Sequence, residues 1–303
     1  MDAQVSLAGR GVASGVTPKG QAVTGVTPAA LVEVVASLGT AAGILQVFSP
    51  HHCWHLVLVG EGILLAESGD RPLDPFLRKA KDVRPPLPRL AELERLATTA
   101  DPDRLTVYRA IAEEDESESL RPILQQTLYE VLLAIALETE VSIRWFPNRA
   151  IGTLSLPRWR LATLYAGLLP EAQKWRRDLT YVRHPYQRVQ LLDSDDTIAQ
   201  VPLFASVTGG RHRIVEIADR FKQDVFRTAL KLDKLAAKRT VAILPLSPSS
   251  QTPIPIPETE PTAPTVCVVD DSPLLLQQFA ALLEQWGYES LVVRQPQARS
   301  PKW

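Results

Sequence analysis

The chain has 303 residues, of which 45% are hydrophobic and 22% charged, and a net charge of −1. That composition belongs to a globular protein of two or three domains and excludes both a generally nucleic-acid-coating chain and an acidic tail protein. No run approaches the roughly 18 apolar residues of a membrane span, the N-terminus lacks a basic stretch followed by an apolar core, and Cys53 and Cys267 are far apart, so a cytoplasmic chain with free thiols is expected.

Residues 1–29 show no amphipathic period. They carry a short self-repeat, Gly15-Val16-Thr17-Pro18 and Gly25-Val26-Thr27-Pro28, among Gly, Ala and Ser. Such a segment buries too little to offset its ordering entropy, so it reads as a disordered tether or as a start codon placed too early. Order is expected from Leu31, where Leu31, Val34, Val35 and Leu38 mark one face of a short helix that stops at Gly39. A strand over Gly43 to Phe48 follows, then His52 to Val59 and Ile63 to Glu67 joined through Gly60-Glu61-Gly62, a hairpin with a glycine turn. Alternation sets Trp54, Leu56 and Leu58 on one face of the middle strand and Cys53, His55, Val57 and Val59 on the other.

The run His51-His52-Cys53-Trp54-His55 contains zinc-ligand types. Along a strand His51, Cys53 and His55 would each stand about 7 Å from the next. No fourth ligand lies near in sequence, His184 and His212 being in unrelated context. The run therefore reads as a strand entry rather than a metal site. From Asp70 to about Ser119 the chain is polar and proline-punctuated: the break Val83-Arg84-Pro85-Pro86-Leu87-Pro88-Arg89 reads as a connector rather than a polyproline ligand, and the later run Glu113-Glu114-Asp115-Glu116 reads as a solvated helix end. The clearest helix spans Arg121 to Glu140, with Leu124, Leu128, Val131, Leu132 and Ile135 at helical spacing. Val141 to Phe146 then reads as a strand and Leu156 to Asp178 as a helix carrying Trp159, Leu168 and Trp175.

Residues 197–246 predict a helix over Ile198 to Val207, a turn at Thr208-Gly209-Gly210, helices over Ile214 to Phe221 and Asp224 to Lys238, and a strand over Thr240 to Leu244. Helix, turn, helix, helix, strand is the order of a winged helix. Between Arg211 and Arg239 there are nine Lys/Arg against four Asp/Glu. DNA binding through Lys222, Gln223, Arg227 and Lys231 is thus one functional reading, although no aromatic or Asn/Arg pair marks base readout. Ser247 to Ala263, with five prolines, is an extended linker.

The last segment, 264–303, opens on Thr265-Val266-Cys267-Val268-Val269-Asp270-Asp271-Ser272-Pro273, an apolar strand running into two carboxylates and a helix start. Leu275, Phe279, Leu282, Leu283 and Trp286 lie at helical spacing, Gly287 ends that helix, and Tyr288 to Val293 form a second strand. Carboxylates at the carboxyl end of a strand buried in a parallel sheet suit a hard cation such as Mg²⁺.

This segment resembles the start of a CheY-like receiver of two-component systems. The resemblance implies the first βαβ part of a flavodoxin-like α/β fold, with Asp270 and Asp271 holding Mg²⁺ as the metal residues. It also implies that the phosphorylated aspartate, the lysine and the Ser/Thr of a receiver would lie beyond Trp303, so 264–303 is expected to be an incomplete receiver with no phosphoacceptor of its own.

Residues 30–246 resemble a second family. Gly43-Ile44-Leu45, the strand with Trp54, Leu56 and Leu58, then Gly62-Ile63-Leu64, a long helical insertion and Gly210-Arg211-His212-Arg213-Ile214-Val215-Glu216-Ile217-Ala218 are similar to the PATAN domain of PatA-family response regulators. That likeness implies an α+β module with a small antiparallel sheet, a helical insertion and a winged-helix-like end. It also implies regulatory output by protein contacts in cyanobacterial motility, phototaxis or cell patterning, with a sensor histidine kinase upstream and a motility or regulatory protein downstream. No Gly-rich phosphate loop, nucleophile elbow or spaced metal-ligand set marks an enzyme, so a non-catalytic chain is expected.

Overall fold

A computed structural model describes residues 22–69, 73–98, 104–114, 119–192, 208–246, 265–270, 272–285 and 289–294. They fall into two compact units, Met1–Pro253 and Ile254–Trp303. The first is mixed α/β and is built on an antiparallel sheet.

The Leu/Val-rich runs after Gly39 form a meander of β2 (Ala42–Phe48), β3 (Cys53–Val59) and β4 (Gly62–Ser68), as their alternation predicts. The sheet is larger than the expected small one. β1 (Ala22–Val26), β5 (Val141–Pro147) and β6 (Trp159–Arg160) extend it to six strands in the order β1-β5-β2-β3-β4-β6. A bulge pairs Val57 with Leu65 but Leu58 with Ile63, which leaves Leu64 as the extra residue of β4.

Both faces of the central strands are buried. Trp54, Leu56 and Leu58 enter one apolar core, whereas Val57, Leu64 and Leu65 enter a second. The first core is closed by α1 (Leu31–Ser37), most of α5 (Leu120–Leu137), α6 (Leu161–Asp178), α7 (Ile214–Arg220) and α8 (Val225–Ala237). The second is closed by α2 (Asp74–Lys81), α3 (Leu90–Thr98), α4 (Arg104–Ala112) and the first turns of α5.

These three helices occupy the stretch that the sequence shows only as polar and proline-punctuated. Phe76, Leu77, Ala80, Leu93, Tyr108 and Ile111 are buried, spread over helices of eight or nine residues that are too short to show a full period beside so many charges. Glu114, expected in a solvated helix end, is 3% exposed and accepts a hydrogen bond from the Arg89 backbone N–H.

A second correction concerns the tether of 1–29. Ala22–Val26 pairs antiparallel with β5, Val26 is buried, and Pro28–Ala30 makes a 3₁₀ turn into α1. An edge strand needs only a neighbour's free backbone groups, not an apolar period of its own. The rest of that stretch lies outside the described residues. Likewise α6 starts at Leu161, not Leu156, because Trp159 and Arg160 are extended and pair with Ile63 and Gly62.

The winged-helix expectation is met only in part. α7, α8 and β9 (Val241–Leu244) lie where predicted, but Gly209 and Gly210 open a strand, β8 (Gly209–Arg213), rather than a turn. β8 and β9 flank β7 (Arg188–Leu191), which no sequence signal marked, in a three-stranded antiparallel sheet. Asp233 of α8 ties this part to the loop after α6 by accepting the backbone N–H groups of Thr180, Tyr181 and Val182 at 3.0, 2.6 and 2.9 Å. The helix expected over Ile198 to Val207 lies outside the described residues.

In the second unit β10 (Thr265–Asp270) and β11 (Glu289–Arg294) are parallel, in register from Thr265 opposite Glu289 to Asp270 opposite Arg294. α9 (Pro273–Gln285) connects them and packs on both.

Gly43 explains one tight point of the large sheet. A Cβ there would stand 2.3 Å from the Phe146 carbonyl oxygen and 2.8 Å from the Trp145 ring. Backbone cannot yield as a flexible side chain does, so Gly43→Ala is expected to cost about 1–3 kcal/mol, read as a lower urea midpoint at unchanged m-value.

Candidate functional site

α2 turns its apolar residues to the second core, and this leaves Arg78 and Lys79 facing α5 and α7. There they meet Glu130 of α5, which is 5% exposed. Arg78 donates from Nε to Asp74 Oδ2 at 3.1 Å, from Nη2 to Glu130 Oε1 at 2.6 Å, and from Nη1 to Asp219. Lys79 Nζ donates to Glu130 Oε2 at 2.7 Å and reaches Asp219 Oδ1 at 3.5 Å. Two cations thus serve three carboxylates drawn from α2, α5 and α7. Burial pushes the Glu130 carboxyl up, but Arg78 and Lys79 outweigh it and hold the group below its usual range.

This network floors a cleft of about 550 Å³ between α2, α5, α7 and the start of α8. Lys79, Glu130 and Asp219 face it, Leu133 and Val215 give it apolar walls, and Asp224 lies at its rim. Beside it, burial and then a hydrogen bond to Glu171 raise the Tyr129 hydroxyl above its ordinary value. Lys79, Glu130 and Asp219 are paired with one another.

The sequence showed each of these charges but not their meeting. Arg78 and Lys79 lie in a polar, proline-punctuated stretch, and Asp219 is 89 residues beyond Glu130 in the chain. The one available signal was Glu130 itself, a charge set between the apolar residues Leu128 and Val131 of α5.

The imidazole-rich run divides between the two faces of the sheet. His52 stacks on His184 with ring centroids 5.2 Å apart and meets Tyr186 edge-on at 5.2 Å. Cys53 and His55 face the other way, where Gln46 Nε2 lies 3.4 Å from Cys53 Sγ and 3.3 Å from His55 Nε2. Among the described residues no group of three or more His, Cys, Asp or Glu could hold a metal ion. Asp270 is the last residue of β10, at its carboxyl end as expected, while Asp271 lies outside the described residues. Of the candidate DNA contacts, Lys231 Nζ donates to Gln223 Oε1 at 2.7 Å, and the Arg227 backbone N–H donates to the capping Asp224 at 2.9 Å.

No protein-family model, no curated protein and no solved structure matches this chain. No helix among the described residues is long and apolar enough to cross a membrane.

Two buried histidines set a pH dependence. Burial, and then the Arg104 guanidinium, pull His55 down to about 3. Burial, and then the neighbouring His52, hold His184 well below 6.5, and its Nδ1 accepts the Tyr186 N–H while Nε2 bonds the Ala134 carbonyl. Both rings stay neutral when folded and take a proton when unfolded. Stability is therefore full above the unfolded value near 6.5 and is lost as pH falls below it, by up to about 1.4 kcal/mol per pH unit for each ring. Urea unfolding between pH 7.5 and 5 should show this slope, and His55→Gln should remove one proton from it.

Proposed function

We propose that this chain is a non-catalytic response regulator of a two-component phosphorelay. In this reading the segment after residue 264 takes the signal of a sensor histidine kinase, and residues 22–246 deliver output by contact with a downstream protein of motility or cell patterning in the cytoplasm. The observation that carries the reading is the parallel β10–α9–β11 unit with Asp270 at the carboxyl end of its first strand, where open α/β sheets bind ligands. Asp270 and Asp271 would hold the Mg²⁺ that offsets phosphoryl charge during transfer. The likeness of 30–246 to the PATAN domain supports the output role. So does a cleft with apolar walls of Leu133 and Val215 and a floor of paired charges, a surface on which a partner could dock.

Phosphotransfer tests it. The product of the complete reading frame, incubated with the organism's autophosphorylated sensor kinases, is expected to take up an Mg²⁺-dependent, hydroxylamine-labile label. The label should be lost when Asp270 and Asp271 are both replaced by Asn. Absence of label with every kinase would refute the assignment.

A second reading, a DNA-binding regulator, draws on the start of α8. There Lys222, Arg227, Lys231 and Lys234 line one surface cleft of about 520 Å³, on the second helix of a helix–turn–helix pair. It expects duplex binding that weakens linearly in log salt, with a slope reduced by about one for each of Arg227→Ala and Lys231→Ala. Fluorescence anisotropy across a salt series decides it, and binding that ignores both substitutions removes it.

A further inference from the structure

One polar row crosses the second face of the large sheet. Strand register places Arg144 of β5 opposite Gln46 of β2, Gln46 opposite His55 of β3, and His55 opposite Glu67 of β4. The Glu67 end is closed: Arg104 pairs with the carboxylate, and the Tyr108 hydroxyl donates to Glu67 Oε1 at 3.1 Å. Arg104 Nη1 also donates to His55 Nδ1 at 3.0 Å. The other end is open. Arg144 is 8% exposed, its Nε is buried, and among the described residues it has no hydrogen-bond or ion-pair partner. The row therefore holds two guanidinium groups against one carboxylate, with a neutral imidazole between them.

The imidazole determines what else is unsatisfied. Because Nδ1 accepts from Arg104, the ring proton of neutral His55 sits on Nε2, which lies 3.3 Å from the end of the Gln46 amide. An N–H there needs an acceptor, so the amide oxygen must face the imidazole and the nearby Cys53 thiol. The amide NH₂ then takes the other amide position, which is buried and has no partner. Two buried donors result, the Gln46 NH₂ and the Arg144 Nε–H, on cross-strand neighbours whose Cβ atoms are about 5 Å apart.

We propose that this pair is a binding site for a small oxyanion, with a carboxylate as the preferred ligand. A planar carboxylate offers two oxygens to two N–H donors and would neutralise Arg144, a buried cation without a counter-charge among the described residues. The slight exposure of Arg144 restricts the ligand to a small anion or a carboxylate at the tip of a chain. The site lies on the sheet face away from His52 and His184 and does not depend on the receiver reading.

The test is thermal unfolding of the whole chain at fixed pH and ionic strength in sodium acetate, sodium phosphate or sodium chloride, together with saturation-transfer NMR on the acetate methyl group. Acetate is expected to raise the midpoint saturably above chloride and to receive saturation from the wild-type protein. Arg144→Lys, which keeps the charge but loses the planar fork, should bind acetate at least tenfold more weakly. Arg144→Met should unfold above the wild type in chloride and ignore acetate. Equal midpoints in the three salts would overturn the site, as would acetate binding unchanged in Arg144→Lys. A response to phosphate alone would overturn the carboxylate assignment.

Discussion

The structure depends on a sheet that is covered on both faces. β3 is the constraint: its alternate residues must reach two separate cores, so Trp54, Leu56 and Leu58 cannot exchange places with Val57 without exposing both sets. Once one face is covered by α5, α6 and the C-terminal helices, the other needs a cover of its own. α2 to α4 supply it despite their high charge, because a sheet face of Val57, Leu64 and Leu65 left in water would cost more than three short helices cost to order. The N-terminal strand follows the same logic. β5 would otherwise be an edge with open backbone groups, and β1 closes that side.

The ion network at Glu130 depends on this covering. α2 can bring Arg78 and Lys79 to α5 only because its other side is held down by Phe76 and Ala80. A buried carboxylate facing two cations contributes little net stability against an apolar replacement of all three, but losing one partner is expensive. Its effect is on specificity. It fixes the rotation of α2 against α5 and, through Asp219, the placement of α7. The cleft above it is thus held by charges whose positions are set by apolar packing elsewhere.

Much of the fold was legible in local pattern. The alternation of β3, the glycine hairpin at Gly60 and Gly62, the helical period of α5 and the strand–helix–strand order after residue 264 were read close to their true bounds. Gly43 stood out only as part of a motif, and the reason for it, contact with the Phe146 carbonyl and the Trp145 ring, is a cross-strand fact. Little of the site was legible. Each of Arg78, Lys79, Glu130 and Asp219 is an ordinary charged residue within its own ten neighbours, whereas the division of the imidazole run between two faces followed from strand alternation.

The sequence by itself determined the elements whose signal is carried within one turn or one pleat, since side-chain direction repeats every 3.6 residues in a helix and every two in a strand. It also placed Asp270 at the end of an apolar strand. Only the tertiary structure decided that Ala22–Val26 pairs with β5, that the charged stretch after β4 becomes three covering helices, and that Arg144 comes to rest buried beside Gln46. Each of those outcomes depends on free backbone groups, apolar surface or counter-charges supplied by residues far away in the chain, which no window of neighbouring residues contains.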